Sequence, residues 1–391
     1  MKMKKIHLTS ILTLLLIWPG AGVAPAQTPG AQHPHVPTVT EFSTPTPNSL
    51  AEGVEVTRDG AIWYCETLAS RLVLQRPDRS VVEYPVPNAG QPNTLKIGPD
   101  GIWFTDQLNN AIGVLHPESG EVVEYAVPSG ATPTFIELGP DGSVWFPEPS
   151  GVARMDPDGT FTEWQIVLEK ADAHIEEISL DPAGRVWFAE KNYAGPGPDG
   201  TNTVRRLDPA TGVISEYRVP TLGGTPAGVL ANADGTVWIT EFFGNAVALL
   251  DPGAAPHTDF TITPLRGASA GQSTPGSRLH AGGGPHVAAT PVTPRLTPVT
   301  PRTTPGWIEY PIPFAGANAG DLRVDASGRL WFEEDAGQIG VLDPAALTIT
   351  EYPLPTQGNG YYNIEIDHHS RIWITEAGFF APPSKIALLD P

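Results

Sequence analysis

A short motif built around tryptophan returns seven times along this chain. Each copy carries an acidic residue three positions after the tryptophan, and the pairs are Trp63 and Glu66, Trp103 and Asp106, Trp145 and Glu148, Trp187 and Glu190, Trp238 and Glu241, Trp331 and Glu334, and Trp373 and Glu376. Five of the six intervals between the tryptophans span 40 to 51 residues. Repeats of this length with several short strands are typical of β-propellers, in which each repeat forms one blade. The sequence therefore predicts an all-β protein with seven blades.

One repeat contains four β-prone runs separated by turn residues. In the second repeat, Pro92 to Pro128, the runs cover 94–97, the segment around Trp103, 111–115 and 122–127. Glycine, proline and aspartate lie between these runs, as expected for tight turns between antiparallel strands. We expect four-stranded blades in a single propeller domain that covers residues 27–391.

The seventh repeat lacks a fourth run, because the sequence stops at Asp390-Pro391. Residues 38–42, TVTEF, resemble the fourth run of the preceding repeat, TITEY at 348–352. We therefore expect the N-terminal strand to complete the seventh blade and close the ring, which removes open sheet edges.

The interval between Trp238 and Trp331 is longer than the others and contains a stretch, 264–306, that is rich in Pro, Thr, Gly and Ser. Such a composition is typical of a disordered or polyproline-like insertion. Its four arginines, without any acidic residue, leave open whether it rests on the acidic body or is a solvated linker. The fourth strand of the fifth blade is either 257–262 or 307–312, and the second is favoured because WIEYPIP resembles EYPLP at 351–355.

Residues 1–26 have the pattern of a secretory signal peptide. Three lysines precede an apolar run, 11–18, which is too short to span a membrane, and Ala24-Pro25-Ala26 provides a cleavage site. The sequence therefore predicts an exported protein, periplasmic or extracellular, without a membrane anchor. The single cysteine, Cys65, is expected to be a buried thiol, and a net charge of -20 disfavours nucleic acid as a partner. We expect a monomer.

The seven acids of the motif are expected at the ends of the second strands, around one mouth of the central channel, with Glu52, Glu176 and Glu177 nearby. Clustered carboxylates suit a hard cation such as Mg²⁺ or Ca²⁺, and the candidate ligands are Glu376, Glu190 and Glu334. The alternative is structural, because a residue repeated in every blade commonly accepts backbone hydrogen bonds at a strand end.

Aromatic residues follow the second strands or begin an innermost strand in several repeats, on the same face as the acids. They are Tyr193, Phe242, Phe243, Tyr361, Phe379 and Phe380. Aromatic walls above an acidic floor suit a small molecule, a glycan or a protein ligand. His174 is the imidazole on this face that could act as a general base, although a solvated loop histidine is the simpler interpretation.

The repeats GPDGIWFTD at 98–106 and GRLWFEEDAGQIGVLDP at 328–344, with TITEYPLP at 348–355, resemble the streptogramin lyase family, also called virginiamycin B lyases. The resemblance covers the mature chain except 264–306. It implies a seven-bladed propeller, and an activity that opens cyclic depsipeptide antibiotics by elimination with Mg²⁺ and a histidine base.

The residues that the resemblance assigns to catalysis are only partly present. Glu376 matches the family glutamate, but Tyr362 stands fourteen residues before it, where the family has histidine, and Gly320 replaces a second expected histidine. Two hypotheses follow. The first is a lyase-like propeller that binds a ligand without chemistry, and the second is a metal-assisted lyase or hydrolase that uses Glu376 with Tyr362 or His174.

Overall fold

Seven antiparallel sheets form the blades of a propeller, as the repeats predict. The computed structural model describes residues 35–192, 200–281, 289–356, 361–376 and 384–391, without the side chains of residues 281, 361 and 362. Every strand belongs to the unit Val36–Pro391. Within each blade the first strand is innermost, and the second and third strands follow it in sequence order toward the rim. The predicted signal peptide lies outside the described residues.

The first four strands of each blade, which together are here called the inner ring, follow the repeats closely. From innermost to outermost, they are Ala51–Val56, Ile62–Glu66, Arg71–Gln75 and Val81–Pro85 in blade 1; Pro92–Ile97, Ile102–Asp106, Ala111–His116 and Glu121–Ala126 in blade 2; Glu137–Leu138, Val144–Glu148, Gly151–Met155 and Thr160–Gln165 in blade 3; and His174–Leu180, Val186–Lys191, Thr203–Asp208 and Val213–Arg218 in blade 4. The remaining strands are Pro226–Ala231, Val237–Glu241, Ala246–Leu250 and Trp307–Pro311 in blade 5; Ala319–Val324, Leu330–Glu334, Gln338–Asp343 and Thr348–Pro353 in blade 6; and Tyr361–Ile366, Ile372–Glu376, Lys385–Asp390 and Thr38–Ser43 in blade 7. Two short 3₁₀ helices are Thr67–Ala69 and Pro87–Ala89.

The repeated tryptophan joins the second strand of a blade to its fourth strand. The ring of Trp145 stacks on Trp164 at 5.6 Å between centroids, and Trp331 stacks on Tyr352 at 5.8 Å. The indole Nε1 of Trp331 also donates to Asp325, at 3.0 Å, in the turn that precedes its strand. Burial of a large aromatic surface together with a satisfied indole N–H explains why tryptophan recurs at this position.

The ring closes through its N-terminal strand, as predicted. Thr38–Ser43 pairs with Lys385–Asp390 along its full length, as the outer neighbour of the third strand of blade 7. Val39, opposite Leu389, is only 1% exposed, and Lys385 Nζ donates to Glu41 at 2.6 Å. Residues from opposite ends of the chain therefore form one blade.

The expectation of a disordered insertion at 264–306 is wrong for the part of it that the structure describes. This part and the strand before it add a fifth strand to every blade, so the blades are not four-stranded as predicted. The fifth strands are His257–Thr261 on blade 4, Leu265–Ala268 on blade 3, Gln272–Thr274 on blade 2, Leu279–Ala281 on blade 1, Thr290–Pro291 on blade 7, Arg295–Pro298 on blade 6 and Arg302–Thr304 on blade 5. The composition misled because a segment that cannot bury a core of its own can still pair with edges that other strands provide.

The choice of the fourth strand in blade 5 is confirmed. Trp307–Pro311 pairs with Ala246–Leu250, whereas His257–Thr261 pairs with the fourth strand of blade 4. Cys65 is buried, as expected. Within the described ranges, no helix combines the length and the apolar character that a bilayer crossing requires.

Candidate functional site

Irregular innermost strands shape one mouth of the central channel. In six blades the pairing between the first and second strands shifts register near the start of the first strand. A β-bulge redirects side chains that would otherwise alternate between the two faces of a sheet. Side chains at or beside these shifts line a single cavity, and they are Glu52, Asn93, Thr94, Glu176, Glu177, Ala227, Asp321 and Asn363.

The cavity has a volume of about 600 Å³ and an uneven wall. Leu50, Leu68, Phe135 and Phe242 contribute apolar surface, and carboxylates contribute most of the charge. The six acidic side chains are Glu52, Glu176, Glu177, Asp321, Glu333 and Asp335, and the basic side chain in the lining is Lys191. The cavity therefore has the size and the mixed lining of a small-molecule site, with a strong negative bias.

Lys191 organises one side of the cavity. Its Nζ donates to Glu176 Oε2 at 2.6 Å and lies 4.5 Å from the ring centre of Phe242. His174 Nε2 lies 3.0 Å from the other oxygen of Glu176. Burial alone would raise the pKa of Glu176, but Lys191 and His174 outweigh it and lower the pKa to about 2. Glu176 is thus a permanent anion whose charge Lys191 already balances.

Three other acids of the cavity are balanced less completely, because Lys191 only partly offsets the burial of Glu177, Glu333 and Asp335. Burial, followed by the negative charges of Asp335 and Asp321, holds the pKa of Glu333 well above its usual range. Burial and the charge of Asp321 do the same for the pKa of Glu177, and burial raises the pKa of Asp335. A raised pKa favours the protonated form of these three carboxyl groups, and a bound cation would favour their ionised form.

Glu333 occupies a space that only glycine at position 320 leaves open. A Cβ on Gly320 would lie 1.9 Å from Glu333 Oε1. Glu333 is 4% exposed, and its Oε2 has no hydrogen-bond partner among the residues that the structure describes. The cavity therefore contains a buried carboxyl oxygen that is available to a ligand.

Asp321 and Asn363 fix the floor of the cavity. Asp321 accepts hydrogen bonds from Arg323 at 2.5 Å, from the amide of Asn363 at 3.2 Å and from the backbone N–H of Ile364 at 3.1 Å. Asn363 in turn accepts a bond from the backbone N–H of Gly53 at 2.9 Å. This network links blades 6, 7 and 1, so the floor is rigid.

The three predicted metal ligands do not converge. Glu190, Glu334 and Glu376 belong to blades 4, 6 and 7, each is 0% exposed, and none lines the cavity. Among the described residues, no three acidic, histidine or cysteine side chains are grouped as a metal site would require. The donor set therefore does not fit the shared Mg²⁺ or Ca²⁺ site that these residues were expected to form.

Three acids of the tryptophan motif instead accept backbone hydrogen bonds from the segments that lead into their blades. Glu66 accepts a hydrogen bond from the backbone N–H of Thr46 at 3.0 Å, Asp106 from that of Gln91 at 2.9 Å, and Glu190 from that of Glu169 at 2.5 Å. Glu190 also pairs with Arg205, although burial still raises its pKa to about 7. The structural interpretation of the repeated acids accounts for these contacts.

Three of the predicted functional side chains lie in or beside the cavity wall, around Glu176 and Lys191. His174 contacts Glu176, and Phe242 packs beside Lys191 in the cavity wall, while Phe243 packs edge-on against Phe242 at 5.0 Å. Glu376 is buried at the end of its strand, outside the lining. Tyr193, Phe379, Phe380 and the side chains of Tyr361 and Tyr362 lie outside the described part of the chain.

Several lining residues were missed, namely Lys191, Asn93, Asp321, Glu333, Asp335 and Asn363. Glu333 carried a usable signal, because GRLWFEED places a charged residue between phenylalanine and the motif acid, where the other repeats have Cys, Thr, Pro or Ala. The others needed the bulges to bring them into the cavity.

Residues 34–250 match the sequence profile of the virginiamycin B lyase family. The chain belongs to this family. A virginiamycin B lyase of Nocardia farcinica is 33% identical over 203 residues, which is 51% of this chain and 65% of that protein. The chain therefore aligns with just under two thirds of the length of this curated relative.

Solved virginiamycin B lyases share the fold. The enzyme from Staphylococcus aureus superimposes with a TM-score of 0.67 at 22% identity, covering 91% of this chain and 99% of that one. A catalytically inactive histidine-to-alanine variant of the same enzyme, solved with quinupristin, superimposes with the same score at 23% identity and the same coverage. The seven-bladed propeller of the virginiamycin B lyase family is thus present here.

Proposed function

We propose that this virginiamycin B lyase-like propeller is exported and binds a small organic molecule that carries a protonated amine in the channel-mouth cavity. The observation that carries the proposal is Glu333, a buried carboxyl group with an oxygen that no described residue satisfies. A buried carboxylate becomes favourable when a cation pairs with it, and an ammonium group supplies both the charge and the hydrogen bonds.

The lining supports an organic cation over a bare ion. Phe135, Phe242, Leu50 and Leu68 line the same cavity as the acids, and such surfaces bury the hydrocarbon part of a ligand. The amide of Asn93 and the hydroxyl of Thr67 both donate to Glu52, so part of the polar lining is already fixed. The sites left for a ligand therefore concentrate around Glu333 and Asp335.

A matched pair of probes tests the charge requirement. Benzylamine and benzyl alcohol have the same ring, but only the first is cationic at pH 7, so titration calorimetry should show at least roughly tenfold tighter binding of benzylamine, a difference of about 1.4 kcal/mol. Glu333→Gln should abolish this preference, whereas Glu118→Gln, a change on an exposed turn, should preserve it. Equal binding of the two probes by the unmodified protein would contradict the proposal.

Proton release gives an independent check. Since the pKa of Glu333 is raised, the ammonium should bind as the carboxyl group loses its proton. The calorimetric enthalpy should then vary with the ionisation enthalpy of the buffer, and affinity should increase between pH 5 and 7. A buffer-independent enthalpy would show that Glu333 is already ionised and would remove the pKa argument.

The second candidate is a lyase or hydrolase, and family membership favours it. Glu376, Tyr362 and His174 were its predicted catalytic residues, and Glu177 and Glu333 add two carboxyl groups with raised pKa that face one cavity. Proton transfer near neutral pH needs groups of this kind. Mg²⁺ would supply Lewis-acid chemistry, but the described residues offer no three-ligand site for it.

Quinupristin, the ligand of the relative's structure, discriminates the two candidates. We expect no ring opening when the protein is incubated with quinupristin and Mg²⁺, because the two family histidines are replaced. Chromatography with mass spectrometry would reveal elimination as a linear isomer of unchanged mass, and hydrolysis as a gain of one water. Either product, if lost in Glu376→Gln or Glu333→Gln but not in Glu118→Gln, would replace the binding proposal by the enzymatic one.

A further inference from the structure

Residues 254–305 are here called the belt, and the structure describes 254–281 and 289–305 of it. Its described strands pair with blades 4, 3, 2, 1, 7, 6 and 5 in that order, opposite to the order of the blades along the chain. Every pairing is antiparallel to the fourth strand of the blade. The described strands of the belt therefore reach all seven blades, one strand to each.

The belt advances by seven residues per blade in two parts of its course. The belt residues opposite the fourth-strand glutamates are Thr258, Leu265, Gln272 and Leu279 on blades 4 to 1, and Arg295 and Arg302 on blades 6 and 5. Seven extended residues at about 3.3 Å each span some 23 Å. A backbone N–H of the belt also bonds to a carbonyl beside the outer strand at each of four blades, and the pairs are Ile262 to Gly212 at 2.9 Å, Ser269 to Gly159 at 3.2 Å, Val292 to Pro37 at 2.9 Å and Val299 to Leu347 at 2.9 Å. The belt thus contacts the outer strands in a repeating register.

The two ends of the belt meet in one hairpin. The backbone N–H of Asp251 donates to the carbonyl of Gly306 at 2.8 Å, and Leu250 pairs directly with Trp307. Gly306 has a φ of +75°, and a Cβ there would lie 2.2 Å from the backbone nitrogen of Ala255. In blade 3 the corresponding hairpin closes through the five residues 156–160. The belt therefore replaces a short turn, and the ring is topologically complete without it.

Few belt side chains enter the core. Val292 is 9% exposed and joins the cluster of Val39 and Tyr352, but Leu265, Leu279 and Leu296 are 58%, 44% and 64% exposed. Each blade keeps its own contact between the tryptophan and an aromatic residue of the fourth strand without the belt. The belt contributes mainly backbone pairing rather than apolar burial.

The belt covers the outer edges of the fourth strands, which would otherwise be open to pairing with another chain. An uncovered outer strand offers a row of N–H and C=O groups to another chain. The belt occupies these groups on all seven blades, and prolines without N–H donors recur along it at Pro264, Pro275, Pro291, Pro294, Pro298, Pro301 and Pro305. Arg295 and Arg302 pair in register with Glu351 and Glu309, so charge reinforces the contact on blades 6 and 5.

We propose that the belt covers the outer strand edges of the propeller, and that this cover keeps the protein monomeric and slows its unfolding. The belt is not required for folding, because the inner ring folds without it. The proposal concerns the rim and is independent of the ligand cavity.

Excision of the belt tests this. Replacing residues 253–305 by Asp-Gly joins Asp251-Pro252 to Gly306 through a turn of the same length as 156–160. The shortened protein should fold, with near-native tryptophan fluorescence and benzylamine binding, but it should unfold at least roughly tenfold faster in denaturant and self-associate at micromolar concentration in light scattering.

A cut belt provides the second variant. A protease site inserted at Ser269–Gly271, between two belt strands, keeps the chain intact until cleavage. After cleavage the unfolding rate should rise toward that of the shortened protein, whereas the uncut form should match the original. If the shortened protein does not fold, the belt is part of the core. If the shortened protein stays monomeric and unfolds at the original rate, the belt affects neither self-association nor unfolding. Either result overturns the proposal.

Discussion

Val39→Asp should lower the melting temperature of this protein by roughly 10 °C. Val39 is 1% exposed within the strand that completes blade 7, where it packs with Leu389 and Ala387. An unpaired charge at such a position costs about 3–5 kcal/mol, and in a large domain each kcal/mol lowers the melting temperature by about 2–4 °C. Because this strand joins the two ends of the ring, the loss should affect the whole propeller in one transition.

Val36→Asp is the matched control for this prediction. Val36 is 54% exposed and precedes the strand, so the same substitution should change the melting temperature by no more than a degree or two. Deleting residues 27–48, which removes the strand altogether, should have a larger effect than Val39→Asp. Differential scanning calorimetry measures all three, and a deletion variant that melts like the original would refute closure by this strand.

Stability should decrease as pH rises from 5 to 9, because pairs of carboxyl groups are buried inside individual blades. In blades 2, 3, 5 and 6 the motif acid lies beside the glutamate of the fourth strand, in the pairs Asp106 and Glu124, Glu148 and Glu163, Glu241 and Glu309, and Glu334 and Glu351. Burial and the partner's charge raise the pKa of Glu124 and of Glu334 to about 8. Blades 1, 4 and 7 carry a basic residue in these pairs, namely Arg71, Arg205 and Lys385.

The direction of this pH dependence follows from the number of protons that the folded and the unfolded states bind. Between a pKa near 4.5 in the unfolded chain and about 8 in the folded protein, Glu334 holds its proton only when folded. Its stabilising contribution is complete below pH 4.5 and disappears as pH rises through 8. The pKa of Asp325 and of Asp367 is lowered because their hydrogen bonds outweigh burial, so their contribution disappears in acid. We expect greatest stability near pH 5.

Glu334→Gln should remove part of this pH dependence. The amide keeps the shape of the protonated acid but cannot ionise, so the variant should match the original protein at pH 5 and melt several degrees higher at pH 9, since each pKa unit corresponds to about 1.4 kcal/mol. Glu118→Gln, on an exposed turn, should leave the profile unchanged. Thermal melts across pH provide the measurement, and parallel profiles for Glu334→Gln and the original would show that this pair does not titrate as described.

The regular part of the fold was predictable because it repeats. Each tryptophan packs against the aromatic residue at the equivalent position of the fourth strand, so seven copies of a local pattern identify seven blades. Closure by Thr38–Ser43 was predictable for the same reason, since that strand resembles the one at 348–353. Periodicity is a strong guide wherever neighbouring residues determine the structure.

The cavity was harder to predict because it depends on departures from the repeat. Register shifts in the innermost strands bring Asp321 and Asn363 together from adjacent blades. The local sequence pattern does not predict these shifts. Glu333 reaches its place only because Gly320, in another strand, has no side chain. The strands of the belt were not predicted for a related reason, because they are ordered only by pairing with strands that are distant in sequence.

The contact between Asp251 and Gly306 has an evolutionary consequence. Because the chain leaves the ring and returns to it within one hydrogen bond, a segment of this kind can be gained or lost in a single insertion or deletion, without altering any blade. Closing a longer loop at the same two points adds little entropic cost, since that cost grows only with the logarithm of loop length. The number of belt strands must equal the number of blades, so such a segment is transferable among seven-bladed rings and too long or too short for others.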